Sequence, residues 1–145
     1  MTTPPATASP LGVLRDACDE LVHTLDASGC AISRVIGDLL VQVAEDSGPL
    51  RHARSGRGYL ASDYPRTEAV LREREPHATS VEDDDADPAE VSVLVDLGYV
   101  SLLMLPFVTD GEVWGLVEVY GEPGRAFDDA DAERALAIAR ALALA

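Results

Sequence analysis

The chain is short of positive charge, and that shortage is the first constraint on its partners. It carries 11 basic residues against 26 acidic ones, a formal net charge of -15. A surface this acidic repels phosphate backbones and anionic lipid, and the only basic cluster, Arg51, Arg54 and Arg57, is short. Neither nucleic acid nor membrane is an expected partner. Cysteine is nearly absent too. Cys18 and Cys30 fall on separate elements, without the spacing of metal ligands or the density of a disulfide scaffold, so reduced thiols in a cytoplasmic protein are expected. No apolar run approaches the length that spans a bilayer, and "MTTPPATASP" lacks the charged start and apolar centre of a signal peptide. Residues 1–9 read as a flexible N-terminal arm. Nucleophile elbow, phosphate loop and HExxH pair are all missing, so no hydrolase or kinase chemistry is expected.

What is present reads as one domain over residues 10–145. The length suits a single core, and an apolar fraction of 47% is that of a globular protein despite the charge. From Pro10 to Asp26, Leu11, Leu14, Cys18, Leu21 and Leu25 recur at spacings of three and four, the mark of an amphipathic helix. "GCAISRVI" and "LLVQVAED" alternate on either side of Gly37-Asp38 and read as a hairpin. Residues 46–58 are loop-like. In "DYPRTEAVLRERE", Pro65 suits a first helical turn, with Val70 and Leu71 as its apolar contact. "HATSV" is long enough for one strand. A second short helix, Pro88 to Leu97, would turn Val91, Leu94, Val95 and Leu97 inward before Gly98 stops it. "VSLLMLPFV" and "EVWGLVEVY" are strands joined through Thr109-Asp110-Gly111, and "DDADAERALAIARALALA" is a final helix.

The densest set of possible metal ligands is "VEDDDADPAEV", residues 81–91. Its second half is a helix start: Asp87 can cap, Pro88 suits the first position, and Glu90 three residues later would complete a capping box. Glu82, Asp83, Asp84 and Asp85 then form a solvated loop. They lack the glycine and spaced ligands of a calcium loop, and no metal site is expected.

In order and spacing, "DYPRTEAVL", "DADPAE", "LGYVSLLMLPFVTDGEVWGLVEVY" and "FDDADAE" resemble a bacterial GAF domain over residues 10–145. The resemblance implies an α+β fold: a central antiparallel sheet of five or six strands, terminal helices on one face, and short helices and loops roofing a small-molecule pocket on the other. Cyclic-nucleotide-binding members of that family pair Asn with Lys, followed by Phe and adjacent Asp-Glu. Phe127 and Asp131 are here, but Ala132 separates Asp131 from Glu133, and the chain has no asparagine. Bilin-binding members need a cysteine near the roof, where neither Cys18 nor Cys30 lies. Haem-binding members use a roof histidine, for which His77 is the best placed, ahead of His23 and His52. The free methionine sulfoxide reductase branch has a carboxylate where Leu102 stands, and neither cysteine has a recognisable partner that would activate it. No cofactor is therefore expected, haem and bilin being disfavoured, and no enzymatic activity.

A pocket would draw on one face of the last two strands. If Thr109 to Gly111 form a three-residue loop, Leu102 and Met104 share a face with Leu116, Glu118 and Tyr120. A two-residue Asp110-Gly111 turn would instead put Glu118 on the face of Ser101 and Leu103. The first register is preferred, and the resemblance to the reductases turns that face to the pocket. Tyr59, Tyr64, Leu94 and Leu97 would line the roof. Glu118 is the most informative of these residues, since a carboxylate within an apolar strand is costly unless paired or solvated. The last helix is apolar nearly all round, more than one sheet can cover, so a homodimer through the terminal helices is expected, with Leu14, Leu21, Leu136 and Leu142 at its interface. The functional expectation is a regulatory module that binds a small molecule and signals through dimerising helices to an output protein. The alternatives are an interaction module without ligand and a haem sensor using His77.

Overall fold

A computed structural model describes residues 10–46 and 58–144. The N-terminal arm, the cluster Arg51, Arg54 and Arg57, and His52 lie outside the described residues. The elements are α1 (Pro10–Thr24), β1 (Gly29–Ile36), β2 (Leu39–Asp46), β3 (Gly58–Leu60), α2 (Pro65–Glu73), β4 (His77–Ser80), α3 (Pro88–Leu97), β5 (Ser101–Thr109), β6 (Glu112–Gly121) and α4 (Asp129–Ala143). The six strands form one antiparallel sheet in the order β3-β2-β1-β6-β5-β4. This is the α+β architecture read from the sequence. The three-residue strand β3 had no signal of its own, because so short an edge has no alternation to display.

The sheet is covered on both sides. On one, Leu14, Cys18 and Leu21 of α1, Leu25 just past it, and Ala135 and Ala139 of α4 pack on Ile32, Leu103, Leu105, Val117 and Val119. On the other, Leu94, Val70 and Tyr99 pack on Leu40, Leu102, Met104, Leu116 and Tyr120. Burial on both faces explains why β5 reads as an unbroken apolar run rather than an alternation. Each fully buried leucine contributes about 2 kcal/mol of transfer free energy. Leu14 and Leu21, expected at a dimer interface, are 7% and 1% exposed within this single chain. They belong to the core, which corrects that expectation: the stripe at three-four spacing faces the sheet. Val95, expected inward, is 62% exposed.

The turn between β5 and β6 also differs from the preferred reading. Asp110 and Gly111 both adopt left-handed conformations, φ 51° and 78°, in a two-residue turn that pairs Thr109 with Glu112. Yet Leu102 pairs with Tyr120 and Met104 with Glu118, so both share a face with Leu116, Glu118 and Tyr120, the face that the three-residue loop would have given them. A bulge reconciles the two. Val108 pairs with Val113 and Phe107 with Gly115, leaving Trp114 as an extra residue that restores the register. Its carbonyl accepts from Nη1 of Arg34 at 2.9 Å, and the guanidinium lies 4.6 Å from the indole centroid.

The two outer helices are tied where α1 ends and α4 begins. The Asp131 carboxylate accepts from Arg125 (Nη2 at 2.9 Å, Nη1 at 3.1 Å), from Arg134 and from the backbone N–H of Asp128 at 3.0 Å. Arg125 donates onward to the Leu25 carbonyl at 2.6 and 3.0 Å. Asp128 and Asp131 thus form a reciprocal cap on α4. Hydrogen bonding from Arg125 holds the Asp131 carboxyl at about 2, below its ordinary 3.8. Stability from this pair is fully present above the ordinary value and is lost as pH falls through about 2. Asp131→Asn is expected to lose about 3 kcal/mol at pH 7, read from denaturant midpoints, with the difference shrinking below pH 3. Equal midpoints at pH 7 would show that Arg125 does not depend on this partner.

Candidate functional site

The face of the sheet opposite α1 and α4 is not filled everywhere. On β1, Ala31 pairs with Glu118 and Ser33 with Gln42, so short side chains lie between the longer ones of β6 and β2. A cavity of about 160 Å³ results, lined by Gln42, Gly58, Tyr59, Tyr64, Thr67, Glu90, Val93, Glu118 and Tyr120. Each wall has a local cause. Asp87 caps α3 through the N–H of Ala89 at 3.0 Å, which directs Glu90 down onto the cavity with Leu94 one turn later. Pro65 starts α2 and sets Thr67 against the same space.

Glu118 is only 8% exposed. Its Oε1 accepts from the Tyr59 hydroxyl at 2.7 Å and its Oε2 from the Tyr120 hydroxyl at 3.2 Å. Burial, then the charge of Glu118, raises the pKa of both tyrosines, so both stay protonated donors. Tyr120 stacks on Tyr99 with centroids 4.7 Å apart, and Tyr59 meets Tyr64 edge to face at 5.4 Å. Glu90 is 4% exposed and accepts from the Thr67 hydroxyl, which also lies 3.3 Å from the sulfur of Met104. Burial raises its pKa from 4.5 to about 7, the neighbouring Glu118 adds to this, and the Thr67 bond opposes it. Gln42 is 9% exposed, and its Nε2 has no hydrogen-bond partner among the described residues. A buried amide donor left unpaired costs about 1–3 kcal/mol.

Of the residues expected at a pocket, the structure brings Tyr59, Tyr64, Glu118 and Tyr120 together in the wall. Leu94, Leu102, Met104 and Leu116 are at most 1% exposed and form solid packing below it, and Leu97 is half-buried at the margin of that cluster. These five are corrected from lining residues to support. Sequence reasoning missed Gln42, Thr67, Glu90 and Val93. Its spacing from Asp87 casts Glu90 as half of a capping box, but its carboxylate accepts from Thr67 instead. A signal existed, since residues 90, 94 and 97 fall on one helical stripe whose other two members are leucines. Glu82, Asp83, Asp84 and Asp85 are exposed as expected, and no group of His, Cys, Asp and Glu able to hold a metal occurs among the described residues. No helix among them is long and apolar enough to cross a membrane.

A model of the GAF domain family matches residues 9–145. No curated protein matches the sequence. Among solved structures, the fold is similar to the chromophore-binding domain of the bacteriophytochrome RpBphP3 from R. palustris, with a TM-score of 0.78 at 14% identity over 95% of this chain and 56% of that one. It is similar to the blue-light absorbing form of the Thermosynechococcus elongatus PixJ GAF domain, with a TM-score of 0.78 at 16% identity over 93% and 83%. A GAF domain/HD domain protein from Geobacter sulfurreducens matches at 0.77 and 16% over 94% and 91%. The chain thus spans about half of the bacteriophytochrome domain.

These neighbours correct the expectation that no cofactor is involved and that haem and bilin are disfavoured, because the fold is one on which chromophore-binding domains are built. The attachment chemistry can be compared with the residues present. Cys18 and Cys30 are buried on the α1 and α4 side of the sheet, across from the cavity, so neither offers a thiol for a thioether to a group lodged there. His77 is on the edge strand β4, outside the cavity wall.

The raised pKa of Glu90 makes a sign-definite prediction. The native state holds this proton more tightly than the unfolded chain, so its contribution to stability is complete below pH 4.5 and lost as pH rises through about 7. Glu90→Gln keeps the shape and the acceptor for Thr67 without the titration. Its melting temperature is expected to match the parent near pH 4.5 and to exceed it at pH 8 by roughly 5–10 °C, on the order of 3 kcal/mol. Parallel curves from pH 5 to 8 would contradict a buried titrating carboxyl.

Proposed function

The chain belongs to the GAF domain family, and on that premise we propose that it is a sensory module whose cavity between the sheet and the 59–98 region takes a small molecule. The observation that carries this reading is the unpaired amide of Gln42 facing the same space as the carboxyl of Glu90. Both groups are costly where they stand and are relieved by a polar occupant. Strand β6 supports a route for the signal. It presents Glu118 and Tyr120 to the cavity and Val117 and Val119 to the helices, so a displacement on one face is felt by α1 and α4 through the core.

Output through helix pairing is part of the proposal. With Leu14 and Leu21 inside the core, the apolar surface offered to a second copy runs along α4, where Leu136, Ile138 and Leu142 are half-buried at the edge of the core and Leu144, just past the helix, is 89% exposed. An interaction module without ligand is the second reading, and the same surface favours it. A cytoplasmic location accords with either.

Native mass spectrometry of freshly purified protein tests both parts together. A retained small-molecule adduct on a dimer is the expected result, with Leu142→Glu giving monomers. A bare dimer, with no melting-temperature response to a metabolite panel, would overturn ligand sensing and leave the second reading. A bare monomer would overturn both.

A further inference from the structure

Resting on that reading, we infer that the ligand class is a small organic ammonium compound with a neutral hydrogen-bond acceptor, its cation held by Glu90 among the tyrosines and its acceptor taken by Gln42. Three independent features of the wall lead here. The polar groups of Glu90 and Gln42 are complementary to opposite ends of one molecule. A carboxylate can only accept, and Nε2 of Gln42 can only donate. The ligand must therefore present a donor at one end and an acceptor at the other. Gln42 is nine-tenths buried and its Nε2 has no partner among the described residues, so the acceptor position is built into the strand rather than left to a mobile surface group.

The remaining walls select for positive charge. Tyr59, Tyr64 and Tyr120 surround the space, and the faces of aromatic rings attract a desolvated cation. None of the described lining residues is basic, and Glu118 across the cavity adds a second acidic group. An anionic ligand would meet two carboxyl groups at close range, whereas an ammonium group meets a carboxylate and aromatic rings. Size narrows the class further. A cavity near 160 Å³ holds a compound on the scale of benzene, which fits a short amino amide or amino alcohol rather than a polyamine or a nucleotide.

The groups facing Glu90 set a pH dependence. They are Thr67 from α2, Glu118 from β6, Tyr59 from β3 and Asp87 at the start of its own helix. An entering cation favours the ionised form of Glu90, so binding releases a proton when Glu90 starts protonated. Affinity for a ligand that stays cationic is expected to rise about ten-fold from pH 6 to pH 8 and to level off above that.

Isothermal titration calorimetry of the whole chain at pH 8 tests the class with three near-isosteric probes: γ-aminobutyramide (cationic), γ-hydroxybutyramide (neutral) and γ-hydroxybutyrate (anionic). The cationic probe is expected to bind at least about ten-fold more tightly than the other two. Glu90→Gln should abolish that preference and flatten the pH dependence. Because this variant is expected to be at least as stable as the parent at pH 8, its loss of preference is not a folding failure. Gln42→Leu, which keeps the bulk but removes the donor, should weaken the amide probe while leaving propylamine unaffected. Tighter binding of the neutral or anionic probe would overturn the ammonium assignment but leave the sensory reading standing. No binding of any probe, with no adduct on the purified protein, would overturn both.

Discussion

One extra residue in β6 decides what this sheet can do. The Asp110-Gly111 turn sets the hairpin one residue away from the pairing found further along, and without compensation it would turn Glu118 toward the helices α1 and α4. A carboxylate there would lie on the face packed by Leu21, Leu25 and Leu105, where its burial is costly. Trp114 absorbs the mismatch as a bulge. Arg34 secures it from β1 by binding the carbonyl that the bulge leaves out of the β5 ladder. Gly115 follows because a Cβ there would come within 2.3 Å of the Ser33 carbonyl oxygen. Beyond the bulge, every residue of β6 has its face assigned.

Two perturbed carboxyls show how the same side-chain chemistry serves opposite ends. Asp131 is surrounded by donors, two guanidinium groups and a backbone N–H, and is held ionised. Its role is to join the end of α1 to the start of α4, which accounts for a Phe-Asp-Asp-x-Asp stretch without reference to any nucleotide. Glu90 has a single hydroxyl donor and another carboxylate nearby, and is pushed toward neutrality. The first arrangement stabilises the fold and the second is an unresolved demand. Buried groups in the second condition are those that a ligand can satisfy.

The comparison with chromophore-binding domains bears on the fold and not on the site. At 12–16% identity the backbone course is shared, while what fills the cavity depends on a handful of side chains. Here those are tyrosines, two glutamates and a glutamine, with both thiols on the far side of the sheet. A sheet covered by terminal helices on one face and by short elements on the other leaves the second face free to vary, because the main core does not depend on it.

Periodicity and turn chemistry alone determined the element order apart from β3, and which stripe of α1 faces inward. Apolar spacing in α1, the capping residues Asp87 and Pro88, and Gly98 act within one or two turns, so they are legible locally. The family resemblance added the roofed face and brought Tyr59, Tyr64, Glu118 and Tyr120 to the right side. Tertiary structure decided the rest. That Leu102, Met104 and Leu116 fill space rather than border it follows from how closely α2 and α3 approach the sheet, a distance no spacing encodes. Gln42 and Glu90 come from strands and helices 48 positions apart in sequence. Their convergence depends on β2, β1 and β6 being adjacent and on α3 lying over them. A polar residue at an inward position is visible in a sequence, but its partner across a cavity is set by packing between elements.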